Sequence, residues 1–261
     1  MRQIGIRLGQ VASSAAAAVA ISSLGGQSAL GKLPSMVSDP SAEEGAKSAG
    51  MPSANLFIVR TTTAEKMQAM SNVSLLNERI SQIQDHSAGL PKLNLDQTQS
   101  KLSPQKREMF ERAMAASQSR KLAALLNQRG TCLALIGERS KAISDLDEAV
   151  ISDKNYAPAF NNRAWMMAQA GKLDAAMVDV NKAIELSPDM AEAYDTRGTI
   201  YLALKQYEPA MKDFNSSIQN KEEYAEAYYH RALLHKIQGN DSQSAADEKR
   251  AIELGYPVQG Q

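Results

Sequence analysis

From residue 123 onward, apolar positions recur at spacings of three and four, and the pattern is interrupted near every fifteenth residue by a glycine or a polar group. Such spacing gives each segment one apolar stripe, so the interruptions separate amphipathic helices joined by tight turns. A longer period of 34 lies over the short one. Segments opening at Ala123, Ala157, Ala191 and Ala225 begin AALLNQRG, APAFNNRA, AEAYDTRG and AEAYYHRA. With each unit numbered 1 to 34, small residues recur at position 8 (Gly130, Ala164, Gly198, Ala232), position 20 (Ala142, Ala176, Ala210, Ser244) and position 27 (Ala149, Ala183, Ser217, Ala251). Larger groups fill position 4 (Leu126, Phe160, Tyr194, Tyr228), and position 28 is always β-branched (Val150, Ile184, Ile218, Ile252). The breaks stand at position 15: Gly137, Gly171, Lys205 and Gly239. Two antiparallel helices approach closely only where a small residue of one receives a bulky residue of the other. One hairpin cannot cover its own apolar face, so the pattern predicts an all-α solenoid of four stacked hairpins.

This register resembles the tetratricopeptide repeat (TPR) family, whose signature has small residues at 8, 20 and 27, bulky ones at 4, 11, 17 and 24, and proline at 32. Ala191–Tyr224 carries it through Tyr194, Gly198, Tyr201, Tyr207, Ala210 and Phe214, and Ala157–Met190 adds Pro188. The resemblance spans residues 123 to about 257. It implies a right-handed solenoid of units 123–156, 157–190, 191–224 and 225–257. Arg139 and Asp241 at position 17 and Glu248 at position 24 depart from it, in the end units where polar capping is expected. The last helix, with Ser244, Asp247, Glu248, Lys249 and Arg250, is read as its own cap.

In the family the first helix of each hairpin lines a concave groove, mainly through positions 2, 5, 6, 9, 12 and 13. Carried onto this chain, the resemblance implies a peptide-binding row of Asn127, Thr131, Asn161, Asn162, Trp165, Asp195, Thr199, Tyr229 and Leu233, flanked by Gln169, Glu192, Leu202, Glu226 and Lys236. Asparagine amides offer both a donor and an acceptor to an extended backbone. Trp165 and Tyr229 are the candidate anchors, with a place in the hairpin core as the competing reading of Trp165. The family's carboxylate clamp is not expected. Asn162 matches its asparagine, but Asn127, Glu192 and Thr196 stand where its basic residues would be.

One periodic feature is charged. Position 7 is arginine in every unit (Arg129, Arg163, Arg197, Arg231) and position 23 is aspartate (Asp145, Asp179, Asp213, Asp247). Sixteen residues apart across a turn, they should face each other as structural ion pairs that fix hairpin register. An anion-binding arginine row is the rival reading, disfavoured because each cation has its own anion.

Upstream the periodicity fades. Residues 1–31 combine Arg2 and Arg7, an Ala-rich stretch from Leu8 to Leu24 and small residues at the end, the outline of a signal peptide cleaved after Ala20 or Gly31. Export to a periplasm or secretion is the expectation, with an organellar or cytoplasmic location as the alternative. That stretch is too short and polar for a membrane span, so no integral membrane segment is expected after processing. Gly26–Lys32 imitates a phosphate-binding loop, but Leu33 replaces the magnesium-binding hydroxyl and Pro34 blocks the following helix. Residues 32–103 read as a linker holding one amphipathic helix (63–86), preceded by the apolar run Asn55–Arg60, which is a strand or a segment packed on the helices. Ser103-Pro104 starts a helix read as the N-terminal cap of the array, 104–122.

Composition narrows the function. The 261 residues carry no net charge, but residues 123–261 are at −5 and residues 1–122 at +5. A mildly acidic array argues against nucleic acid as partner. The lone Cys132 excludes an internal disulfide and sits on an apolar helix face. His230 and His235, five apart on one helix, cannot share a metal, and no catalytic motif is present. The sequence therefore predicts no enzyme and no cofactor. It predicts a scaffold that binds a peptide or protein segment in its groove. The alternative is a self-assembling structural protein, a homo-oligomer whose 63–86 helix docks in a groove of the same or a neighbouring chain.

Overall fold

The computed structural model describes residues 63–88 and 103–256; the signal-like segment 1–31, the run Asn55–Arg60 and most of the linker lie outside them. Nine helices are present among the described residues: α1 (Thr63–Ala88), α2 (Pro104–Leu135), α3 (Arg139–Ser152), α4 (Ala157–Gln169), α5 (Leu173–Leu186), α6 (Ala191–Ala203), α7 (Tyr207–Asn220), α8 (Ala225–Ile237) and α9 (Asp241–Glu253). From Ala123 they form four stacked hairpins, each pair packing most heavily within itself and next on its neighbours. The family's solenoid architecture is realised.

Every hairpin turns in the same way. The N–H at position 16 bonds the carbonyl at position 11 (Glu138 to Leu133, Lys172 to Met167, Gln206 to Tyr201, Asn240 to His235), at 2.8–2.9 Å. That closure needs left-handed backbone at position 15. Gly137, Gly171 and Gly239 adopt it at no steric cost, with φ of 91°, 76° and 77°. Lys205 takes the same conformation, φ 58°, as the only non-glycine with positive φ among the described residues.

Inside the hairpins the small residues at 8 and 20 are buried, and position 24 fills the gap between them with Leu146, Val180 and Phe214. Phe214, with no exposed surface, joins Ile200, Val180, Leu234 and Trp165 in the largest apolar cluster.

The N-terminal end differs from expectation. The stretch 104–122 is not a separate capping helix. It is continuous with the first helix of the first unit, and residues 104–117 are exposed, including Met109, Phe110 and Met114. The covering is done by α1, which lays Ala69, Val73, Leu76 and Ile80 against Leu125, Leu126, Cys132 and Leu135 of α2. Its Asn77 accepts a bond from Arg129 Nη1 at 2.9 Å. Arg163, Arg197 and Arg231 make the same Nη1 contact with Asp147, Asn181 and Asn215, at position 25 of the preceding unit. Asn77 thus stands at position 25 of a cryptic preceding unit. Val73, Leu76 and Ile80 fall at its positions 21, 24 and 28, as Ile143, Leu146 and Val150 do in the first unit. Helix α1 occupies the place that the second helix of a preceding unit would take, held beside α2 within its own chain rather than in a groove.

Candidate functional site

Charged side chains at positions 7 and 23 meet within every hairpin. Arginine Nε and Nη2 grip the two aspartate oxygens at 2.7–2.9 Å in all four units. Such fork-to-fork pairing fixes both distance and angle between the helices. The aspartates Asp145, Asp179, Asp213 and Asp247 are buried, at 3–8% exposure. Hydrogen bonding to them outweighs burial and raises the affinity of Arg129, Arg163, Arg197 and Arg231 for their protons. The ring at position 4 covers the guanidinium in three units, with Phe160, Tyr194 and Tyr228 centroids 5.5–5.8 Å from it. With Nη1 also bonded to position 25 of the unit before, each guanidinium is engaged on both sides by protein acceptors. They brace hairpin to hairpin.

The first helices α2, α4, α6 and α8 lie side by side, and positions 5, 6 and 9 turn toward the junctions between them. Here the sequence expectation needs correction. Asn127, Asn161, Asn162, Trp165, Asp195 and Thr199 were expected as an open contact row, yet all are buried, Trp165 at 6% and Asn161 at 4%. The physical reason is that neighbouring first helices use these positions on one another. Asn162 Nδ2 donates to Asn127 Oδ1 at 2.9 Å and lies 3.5 Å from Thr131 Oγ1. His230 Nδ1 lies 2.8 Å from Asp195 Oδ1. Trp165 belongs to the largest apolar cluster, its ring 6.5 Å from that of His230. Of the expected row, Thr131, Tyr229 and Leu233 remain partly exposed, with Gln169, Glu192 and Glu226 similarly placed and Lys236 exposed. Glu192 is held by Lys221 at 2.8 Å.

His230, absent from the expected row, is the residue that sequence reasoning missed. Its position 6, adjacent to Tyr229, was the available signal. Tyr256 was missed as well. It follows the left-handed Gly255, bonds back to Ala251 through its N–H at 2.9 Å, and stacks on Tyr229 with centroids 4.2 Å apart. It closes the C-terminal end of the inner face.

Residues 157–190 and 191–224 match the tetratricopeptide repeat family model. These two units are tetratricopeptide repeats. Among solved structures, the chain is similar to MamA at 22% identity and a TM-score of 0.44, over 57% of this chain and 92% of that one. It is similar to a thermophilic TPR protein of Thermus thermophilus at 17% identity and a TM-score of 0.49, over 51% and 74% of the two chains. A third is the first TPR of Spaghetti (RPAP3) bound to an HSP90 peptide, at 23% identity and a TM-score of 0.43, over 46% and 95%. A search of curated proteins gave no significant match.

Outside the inner face of the repeats little converges. Two open hollows on the outer face, about 560 and 410 Å³, are lined by residues of α6, α7 and the turn after α8, Lys212 and Glu208 among them. Among the described residues no group of three or more His, Cys, Asp or Glu is placed to hold a metal, and no helix is long and apolar enough to cross a membrane.

Proposed function

We propose that the array is a non-enzymatic scaffold that binds a peptide or protein segment along the face formed by its first helices. The TPR fold supports protein–protein interaction as its role. The observation that carries the finer reading is the partial exposure of Tyr229 and Leu233, one turn apart on α8, where the equivalent Asn127, Asn161, Trp165, Asp195 and Thr199 are consumed by packing. An aromatic and an aliphatic group four residues apart on a helix present one contiguous contact, and aromatic anchors give most area for least entropy. The contact patch therefore centres on the fourth unit, with Thr131 at the far end of the face. Self-assembly through the 63–86 helix has less support, because the buried stripe of α1 is already engaged with α2 of its own chain.

Export remains part of the proposal. It rests on the basic start and Ala-rich stretch of residues 1–31, and N-terminal sequencing of the mature protein tests it. For binding, the test compares proteins captured from an extract of the source cell by the wild type and by Leu233→Asp, with helicity of both checked by circular dichroism. One defined protein that is captured by the wild type and lost with the folded variant supports the patch. Equal capture by both moves the contact elsewhere.

A further inference from the structure

The junction between the third and fourth units is chemically unlike the other two. At the first junction the position 5 to position 6 contact joins two neutral amides, Asn127 and Asn162. At the second, Asn161 Oδ1 of position 5 finds no partner, and the hydroxyl of Thr196 at position 6 bonds its own helix at Glu192. The third sets His230 on Asp195, Nδ1 to Oδ1 at 2.8 Å, with both side chains 3% exposed. Thr199 Oγ1 lies 3.4 Å from the same nitrogen and donates to the Asp195 carbonyl at 2.9 Å. Rings of Tyr229, Phe214 and Trp165, with centroids at 5.7, 6.0 and 6.5 Å, surround the imidazole.

The charges facing this spot are mostly negative. Helix α6 contributes Asp195 and, one turn before it, Glu192; α8 contributes Glu226, one turn before His230. Lys221 is tied to Glu192, and Arg197 and Asp213 on the outer side neutralise each other. Tyr224 is buried with its proton held more firmly by desolvation, and Tyr229 adds its ring at 5.7 Å. Helix α4 presents Trp165 and no charge to His230. Burial opposes a charge on His230, but the charge of Asp195, its hydrogen bond and Glu226 together raise the affinity of His230 for its proton above the ordinary 6.5.

We propose that His230 and Asp195 form a pH-sensitive latch that seats the fourth unit on the third. With the proton bound, the pair is a buried ion pair. Once it is lost, Asp195 remains a buried carboxylate facing a neutral ring, a costly arrangement. The sign follows from linkage. A folded-state affinity raised above the unfolded value stabilises fully below 6.5 and loses that contribution as pH rises through the folded pKa. In a stacked array each unit touches only its neighbours. Among the described residues the fourth unit packs chiefly on the third, so the loosening centres on α8 and α9. The latch does not depend on the binding reading and fails or stands separately from it.

The test uses the full chain. Proton NMR of the imidazole Cε1–H resonances from about pH 5.5 to 9.5 follows His86, His230 and His235, assigned by His86→Gln and His235→Gln so that His230 itself stays intact. Amide exchange of Ala225–Glu253 is measured against Ala157–Leu186 over the same range, corrected for intrinsic rates. The expected result is a His230 midpoint above 6.5, with relative exchange of the fourth unit rising from pH 6 to pH 9 by the factor that the measured midpoint shift sets through linkage. Asp195→Asn should remove that rise. A midpoint below 6.5, a pH-independent ratio in the wild type, or an undiminished rise in Asp195→Asn overturns the latch.

Discussion

Gly198→Ala isolates the closest approach in the array. Alanine is the better helix former by about 1 kcal/mol at an unconstrained site, so propensity alone predicts stabilisation. Packing predicts the reverse. A Cβ on Gly198 would lie 2.7 and 2.8 Å from Cε1 and Cδ1 of Phe214, and 3.3 Å from the Ala210 carbonyl oxygen. Real Cβ atoms essentially never come within 3 Å of another group, so the ring must move. Phe214 has no exposed surface and sits in the central cluster with Val180, Ile200 and Leu234, which leaves it nowhere to go without displacing α7. Overpacking of this kind costs about 1–3 kcal/mol. Set against the propensity gain, Gly198→Ala should lose up to about 2 kcal/mol. The assay is urea unfolding followed by helicity, with midpoint and slope compared at fixed pH. Phe214→Leu removes the obstructing ring edge, so the same Gly198→Ala change in that background should become neutral or stabilising, a coupling of about 1–3 kcal/mol. Gly130 is the internal comparison. Its added Cβ would meet the Ala142 carbonyl, Leu146 and Asp145 at 3.1–3.3 Å, so Gly130→Ala should be milder. If Gly198→Ala stabilises the wild type as much as it stabilises the Phe214→Leu protein, close approach at position 8 is not what the small residue is for.

Three further outcomes follow from particular side chains. Lys205→Gly relieves a left-handed non-glycine residue that its three counterparts avoid, and should raise stability by about 0.5–1 kcal/mol in thermal unfolding; an unchanged or lower midpoint refutes this. Asn162→Ala strands Asn127 Oδ1 and should cost about 1–3 kcal/mol, whereas Asn161→Ala removes an unpartnered acceptor and only a long 3.4 Å bond from its Nδ2 to Asn162 Oδ1, and should cost less, about 1 kcal/mol. Urea midpoints that rank the two in the opposite order would refute the accounting. Burial pushes the Cys132 thiol up to about 11, partly opposed by the neighbouring Asn72 side chain. At pH 8 only about a thousandth of it is thiolate, so a disulfide reagent should label the native chain far more slowly than the urea-unfolded one. Equal rates would mean that α1 does not cover α2.

What was legible in the sequence follows from repetition. A single glycine before a polar residue says little, but Gly137, Gly171 and Gly239 at one register position fix a turn, and they mark Lys205 as the exception before any coordinate is seen. Likewise, four arginines sixteen residues before four aspartates define a contact that one pair could not. Depth was not legible. Position 5 borders both the inner face and the next first helix, and the letter N at 127 or 161 does not say which neighbour consumes the amide. Those polar residues suggested an open face, whereas Asn127 and Asn162 are buried and Asn162 Nδ2 donates to Asn127 Oδ1. The role of α1 was hidden for another reason. The connection between Ala88 and Pro104 is far longer than the four residues that join later units, so the 34-residue period does not reach back across it. Even so, the order Val73, Leu76, Asn77, Ile80 repeats Ile143, Leu146, Asp147, Val150 and Met211, Phe214, Asn215, Ile218. A search for the second-helix pattern alone, released from the fixed period, would have found it.

Two sets of contacts tie each unit to the next, and they are built on opposite principles. On the outer side the brace from position 7 to position 25 of the preceding unit is uniform: arginine Nη1 to a side-chain oxygen at 2.7–2.9 Å, four times over, starting with Asn77 of α1. On the inner side the position 5 to position 6 contact changes at every junction, from an amide pair, to an unsatisfied Asn161, to the buried Asp195–His230 pair. A uniform outer brace sets one repeat geometry, and so one superhelical form. The inner contacts then grade the strength of each junction without altering that form. Buried polar contacts carry large penalties when broken, so the second junction, where Asn161 Oδ1 lacks a partner, is held instead by the apolar cluster that runs across it from Trp165 and Val180 to Ile200 and Phe214. The third is the one whose strength the solvent can change.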